Sequence, residues 1–305
     1  MEQIDIVIIG AGTAGLTAAI YACRSGLSCV VLEENMYGGQ IVNTGEIENY
    51  PGMPGITGFD FANALHRQAE ALGAKIQFSP VSAISKSDPW FYVETPSATW
   101  IAKAVIAANG AVHRKLGCEG EERLSGKGVS YCATCDGAFF KGKSVAVVGG
   151  GNTAAEDALY LSGICREVHL IHRRDQFRAH QATVRRLLAA PNVTPHYQAT
   201  VQQITGDKRV EGILLSSPNG EQRLEVQGVF VAIGLSPNNQ LFAPLCRLDE
   251  GGYFAAGEDC RTTCDGLFAA GDTRAKPLRQ LVTAAADGAV AASMAAVYVG
   301  ERIKS

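Results

Sequence analysis

A chain of 305 residues with 47% hydrophobic and 19% charged side chains has enough apolar material for about two buried cores. A formal net charge of −3 excludes a broad basic surface for nucleic acid. The opening MEQIDIVIIG carries acids where an export signal has basic residues, so a cytoplasmic location is expected, with most of the nine cysteines as free thiols.

The first predicted element is the β-branched run 4–9, IDIVII, which reads as a buried parallel strand. It runs into a turn with Gly10, Gly12, Thr13, Ala14 and Gly15, then a helix, then a second apolar strand ending at Glu33. This is the spacing of a βαβ dinucleotide fingerprint. The first glycine permits the tight turn, the second lets backbone approach a pyrophosphate, and the third lets helix and strand pack closely. The helix N-terminus offers unpaired N–H groups and a positive dipole end to the phosphates. Glu33 can accept hydrogen bonds from both hydroxyls of a ribose, which suits the adenosine of FAD or NAD.

Farther along lies 131–140, YCATCDGAFF, with Cys132 and Cys135 two residues apart and Asp136 next to them. Such a pair can be half a zinc site, a redox couple or chance. Structural zinc needs four ligands, and no second CxxC or His pair stands at usable spacing, so no metal is expected and a redox couple is favoured. Cys23, Cys29, Cys118, Cys165, Cys246, Cys260 and Cys264 read as ordinary thiols.

Immediately afterwards the first unit repeats. Residues 143–172 lie over 4–33 without a gap, with Gly149, Gly151 and Ala154 over the three glycines and Tyr160 over Tyr21. The position of Glu33 is taken by His172, followed by Arg173, Arg174 and, four residues on, Arg178. Charge runs are usually solvated faces. Here the loss of the acid and the gain of three guanidinium groups suit a 2′-phosphate, hence NADPH. Near the C-terminus, 266–272, GLFAAGD, reads as a short strand ending in Gly271 and Asp272. The Asp272 carboxylate can bond the ribityl hydroxyls of a flavin, although taken alone it reads as a turn acid. An Ala-rich helix follows, whose N-terminus can stabilise the charge of a reduced flavin. Its tract 281–299 is weakly apolar and interrupted by Asp287 and Gly288, so a packed helix rather than a membrane span is expected.

The motifs GAGTAG (10–15), GGQ (38–40), ENYPG (48–52), CATCD (132–136), GGGNTAAEDA (149–158), HRRDQFRA (172–179), AIGLSPN (232–238) and GLFAAGD (266–272) stand in one order and spacing. In these the chain resembles the low-molecular-weight, bacterial-type thioredoxin reductases over essentially its whole length. The resemblance implies an α/β fold of two Rossmann-like, three-layer (ββα-type) dinucleotide-binding domains. An NADPH domain over 114–242 would be inserted into a discontinuous FAD domain over 1–113 and 243–305. It further implies a homodimer acting on thioredoxin, with no nucleic acid or membrane as partner. Carried over by motif, Cys135 is the thiol nearest the flavin, Cys132 exchanges with thioredoxin, and Asp136 handles the proton. FAD contacts then extend to Glu34, Gly39, Gln40, Asn49 and Gly110, and to Arg279, Gln280 and Leu281. NADPH contacts extend to Asn152 and Thr153. Because the dithiol lies on the nicotinamide domain, the resemblance also implies a domain rotation that lets it alternate with NADPH.

Three residues depart from the pattern: Asn109 stands in place of Thr, His113 of Pro and Leu235 of His. Some relatives with similar tails take electrons from ferredoxin or a reduced flavin, but they lose the second fingerprint or its arginines, which this chain keeps. A reductase of another carrier, such as a peroxidase's redox domain or a glutaredoxin-like protein, a dithiol oxidase and a flavin-bound redox sensor are the other readings.

Overall fold

The computed structural model describes residues 2–303, and its contacts divide the chain into two units, Met1–Val112 with Ser236–Ser305, and His113–Leu235. Of the expected domain limits, Met1, Lys304 and Ser305 lie outside the described residues.

In the first unit the run predicted as a strand forms Glu2–Ile9, at the centre of a seven-stranded sheet. Cys29–Glu33 and then Lys75–Phe78 pair in parallel on one side of it, and Thr99–Ala107 pairs in parallel on the other. Thr99–Ala107 serves two neighbours. Its first half pairs antiparallel with Trp90–Glu94, which pairs with Ala83–Ser87, and its last residues pair in parallel with Leu267–Ala269. Glu2–Ile9 is buried on both faces from Ile6 onward, which accounts for its unbroken β-branched sequence.

The two faces of this sheet hold different cores. One gathers Ile6, Ile8, Leu16, Ala19, Ala292 and Val299, joining helices Thr13–Arg24 and Leu281–Ile303 to the strands. The other gathers Val7, Phe91, Val93, Trp100, Phe242 and Phe254. Phe91 is fully buried, and truncating such a side chain to Ala costs about 3–5 kcal/mol. The C-terminal helix is long and apolar enough to cross a membrane by composition alone. Yet its small residues have a packing reason: a Cβ on Gly288 would lie 2.2 Å from the carbonyl oxygen of Ala14, so glycine permits the close crossing of the two helices.

The second unit is built on a five-stranded parallel sheet in the order Val193–Tyr197, Glu167–His172, Ser144–Val148, Gly228–Val231, Val129–Ser130. Helix Asn152–Ser162 supplies Ala154, Ala155, Ala158 and Leu161 to the core on one face, with Leu187 from helix Gln181–Leu188. On the other face lies a three-stranded antiparallel sheet, Thr200–Thr205, Gly212–Ser217 and Gly220–Leu224, which contributes Ile204, Ile213, Leu215 and Leu224. The layers are therefore sheet, sheet and helix.

Candidate active site

The two glycine turns repeat not only in sequence but bond for bond. Gly10 N–H donates to Leu32 O at 2.8 Å, and Gly149 N–H donates to Ile171 O at 3.0 Å. Next door, Ala108 N–H donates to Ile9 O and Ala232 N–H to Val148 O, each at 2.8 Å. A Cβ on Gly10 would stand 2.4 Å from Ala108 O, and one on Gly149 would stand 2.3 Å from Ala232 O. Both turns thus press backbone against backbone, which only glycine allows. Gly12 and Gly151 occupy the N-caps of the following helices in extended conformation, with no side chain capping either end. The first amides of both helices are left to a ligand, as a pyrophosphate requires.

Around the first turn the structure brings the expected FAD residues together, at the carboxyl ends of the parallel strands. Glu33 Oε2 accepts from Ala11 N–H at 2.7 Å and its Oε1 from Asn35 N–H at 3.1 Å, which fixes the carboxylate at the strand end. Gly38 N–H donates to Ala11 O at 2.7 Å, laying 38–40 beside the glycine loop, and Gln40 bonds the carbonyl of Ala111, next to Gly110. Asn49 Nδ2 donates to Gln280 Oε1 at 3.0 Å, and Leu281 opens the C-terminal helix. A Cβ on Gly271 would lie 2.8 Å from that of Ala14, so the GLFAAGD turn abuts the fingerprint helix. Glu34 is exposed, with Thr13 buried behind the turn.

Asp272 fits a hydroxyl-rich ligand. Its Oδ1 is buried with no hydrogen-bond partner among the described residues, with the cation Lys276 Nζ at 3.9 Å. Burial pushes its carboxyl above the usual range, while Lys276 and Arg279 oppose the shift. A buried acceptor left unpaired is costly unless a donor arrives, and ribityl hydroxyls are such donors. Arg279 spans this site, with Nε 3.4 Å from Asp272 O and its guanidinium 4.4 Å from the centre of the Tyr253 ring.

Beneath lies a network that the sequence pattern did not reveal. Asp287 accepts Gly271 N–H at 3.0 Å, Arg274 Nη1 at 2.7 Å and Lys276 Nζ at 2.8 Å, so the loop carrying Asp272 is anchored to an ion cluster. Arg274 is 4% exposed and Asp287 8%, which makes these hydrogen bonds charge-assisted and buried. Asn109, the departure from Thr, has a comparable structural role. Its Nδ2 donates to Asn238 O at 2.8 Å and to Asn239 Oδ1 at 2.9 Å, and its Oδ1 accepts Thr273 Oγ1 at 3.2 Å.

In the second unit, Arg173, Arg174 and Arg178 are all exposed after strand Glu167–His172. Their loop is held where Arg178 N–H donates to Gly150 O at 2.7 Å and His180 N–H to Asn152 Oδ1 at 2.9 Å. Beside it opens a cavity of about 270 Å³ lined by Asp175, Gln176, Phe177, Arg185 and Tyr197 among others. Thr153 is exposed at the helix start. His172 differs from its neighbours: it is 5% exposed, and a Cβ on Gly150 would lie 2.1 Å from its ring. Burial lowers its pKa, with the three arginines adding to the effect, so the ring is neutral near pH 7. It packs against Gly150 and Phe177 and adds no charge to the arginines.

Cys132 and Cys135 form a disulfide, with Cα atoms 5.3 Å apart. Cys132 caps the single helical turn Ala133–Asp136, its Sγ accepting Cys135 N–H at 3.2 Å. Ser130 Oγ accepts Cys132 N–H at 3.1 Å and lies 2.6 Å from Asp136 Oδ2, to which it donates. Both sulfurs and the Asp136 carboxylate thus sit on one half-buried turn, organised by a serine that the sequence reading did not single out. His113, the departure from Pro, lies beside Tyr131, the residue before the pair, with ring centres 5.2 Å apart and planes tilted by 33°.

Paired dinucleotide turns and a CxxC redox disulfide define a nucleotide-linked disulfide oxidoreductase. The model of the pyridine nucleotide-disulphide oxidoreductase family matches residues 4–289, and the chain belongs to that family. Within it the chain is 44% identical over 298 residues to a protein named thioredoxin reductase from Treponema pallidum, covering 97% of each chain. It is 45% identical over 300 residues to one of the same name from Listeria monocytogenes, covering 97% of this chain and 94% of the relative. Among solved structures, thioredoxin reductase from Streptococcus pyogenes superposes with a TM-score of 0.91 at 39% identity, over 98% of this chain and 99% of that one.

Proposed function

We propose that this chain is an NADPH-dependent thioredoxin reductase, binding FAD in the unit formed by residues 1–112 and 236–305 and NADPH in the unit formed by residues 113–235. The observation that carries the reading is the Cys132–Cys135 disulfide, held in a chain with two glycine turns of matching geometry. When bound, NADPH supplies a hydride, and FAD passes the two electrons on to a disulfide. The residues of the chain do the rest. Glu33 takes the adenosine ribose of FAD, Asp272 its ribityl hydroxyls, and Arg173, Arg174 and Arg178 the 2′-phosphate of NADPH. Two electrons and two protons convert the disulfide to a dithiol. Asp136, adjacent to Cys135, passes the proton, and Ser130 orients its carboxylate. The Cys132 thiolate then attacks a disulfide of thioredoxin, Cys135 resolves the mixed disulfide, and thioredoxin leaves as a dithiol.

The enzyme works as a cytoplasmic homodimer without nucleic acid or membrane partners. By the chain's resemblance to bacterial-type thioredoxin reductases, the dithiol and NADPH take turns at the flavin. A comparison of electron donors tests the reading: NADPH, NADH and reduced ferredoxin are each supplied with thioredoxin as acceptor. Turnover with NADPH at a far lower KM than with NADH is expected. Turnover with reduced ferredoxin alone refutes the donor, and flavin bleaching without turnover on any disulfide protein points instead to a sensor.

A further inference from the structure

Two thiols outside the redox pair are already in contact. Cys23 lies in the last turn of helix Thr13–Arg24, Cys29 opens strand Cys29–Glu33, and their Sγ atoms are 3.6 Å apart. The residues between them turn through Gly26, at φ +76, where a Cβ would meet nothing within 4 Å. Cys23 is half-buried and open to a small oxidant, whereas Cys29 is 2% exposed. We propose that Cys23 and Cys29 are a second redox site, closed into a disulfide by hydroperoxides and fastening the fingerprint helix of the first unit to its second strand.

The geometry asks little of the backbone. A disulfide needs the sulfurs to close by roughly 1.5 Å, which side-chain rotation and the open turn at Gly26 can share. Chemically, the Cys23 thiolate attacks the peroxide, the O–O bond breaks, and Cys23 becomes a sulfenic acid. The Cys29 sulfur then attacks Cys23, the S–O bond breaks, and the departing oxygen leaves as water with the released protons. Two thiols and one hydrogen peroxide thus give one disulfide and two waters. Cys29 is 2% exposed, and burial and the neighbouring Cys23 push its thiol up, so Cys29 is the resolving group. No nucleotide takes part, and the site stands or falls independently of the proposed activity.

The test uses the flavin-loaded enzyme, titrated with hydrogen peroxide, denatured, capped with N-ethylmaleimide and digested with trypsin. Cleavage after Arg24 parts Cys23, in peptide 1–24, from Cys29, in peptide 25–67, so only a disulfide can hold them together. The expected result is a linked pair of these peptides that separates on reduction, with the free-thiol titre falling from seven to five. The Cys132→Ser, Cys135→Ser double variant should form the same link, and Cys23→Ser should not. Peptides 1–24 and 25–67 recovered apart with both cysteines capped would overturn the proposal. So would Cys23 overoxidised beside a capped Cys29, or either cysteine linked elsewhere.

Discussion

The substitution Gly151→Ala separates cofactor approach from folding. At Gly151 the backbone has φ −95 and ψ −173, an ordinary conformation for an L-residue, and a Cβ there meets nothing within 4 Å. Exchanging glycine for alanine at an N-cap costs about 0.5 kcal/mol, a melting shift of about 2 °C or less for a protein of this size. The added methyl, however, stands at the uncapped start of helix Asn152–Ser162, where a pyrophosphate must come close to the amides. Losing one charge-assisted hydrogen bond there is worth about 1.5–3 kcal/mol. That converts to a KM for NADPH raised about tenfold to a hundredfold. Gly149→Ala is the contrast, because its methyl would lie 2.3 Å from Ala232 O and the turn itself must distort. Steady-state NADPH titration and thermal melting of both variants measure the difference. An unchanged KM in Gly151→Ala, or a melting loss as large as that of Gly149→Ala, would refute the reasoning.

Joint replacement of Arg173 and Arg174 by Ala should raise KM for NADPH about tenfold or more while leaving that for NADH nearly unchanged, since only NADPH carries the 2′-phosphate. Equal losses with both nucleotides would remove the assignment. Cys132→Ser should keep NADPH-driven flavin bleaching in stopped flow and abolish thioredoxin reduction, whereas loss of bleaching would undo the division of labour between the two sulfurs. Burial, with Glu156 adding to it, pushes the Asp157 carboxyl up to about 7. Its folded value lies above its unfolded one, so stability falls as pH rises from about 4 to about 7 and is flat beyond. Asp157→Asn should therefore gain about 2 kcal/mol at pH 8 and nothing at pH 3, measured by urea melts, after allowing for partial solvent screening.

Both βαβ units could be read from the sequence because each step depends on near neighbours: a strand, a turn that only glycine can make, and a helix that starts without a cap. Gly10 and Gly149 show why, since their clashes with Ala108 and Ala232 are built into the turn itself. The antiparallel strands were not legible. Thr200–Thr205 is short and largely half-buried, Gly220–Leu224 is short and mostly exposed, and tertiary pairing rather than hydrophobic pattern defines them. The anchor of the loop carrying Asp272 was hidden for a related reason. Asp287 read as an interruption in an apolar helix, and no motif singled out its partners Arg274 and Lys276, because their meeting across the fold has no local signature. Cys260 likewise read as an ordinary thiol, yet it adopts φ 59 and its Sγ lies 3.6 Å from Arg274 Nη1.

The bonds of Asn109 reach across 129 and 130 residues of sequence, to Asn238 and Asn239, and so bracket the whole of the second unit. The chain leaves the first unit and rejoins it at one amide side chain. Excising residues 113–235 and closing the gap with a short glycine linker would therefore preserve every strand of the seven-stranded sheet and its order. In architectural terms the second unit is a plug-in, and the host sheet is complete without it.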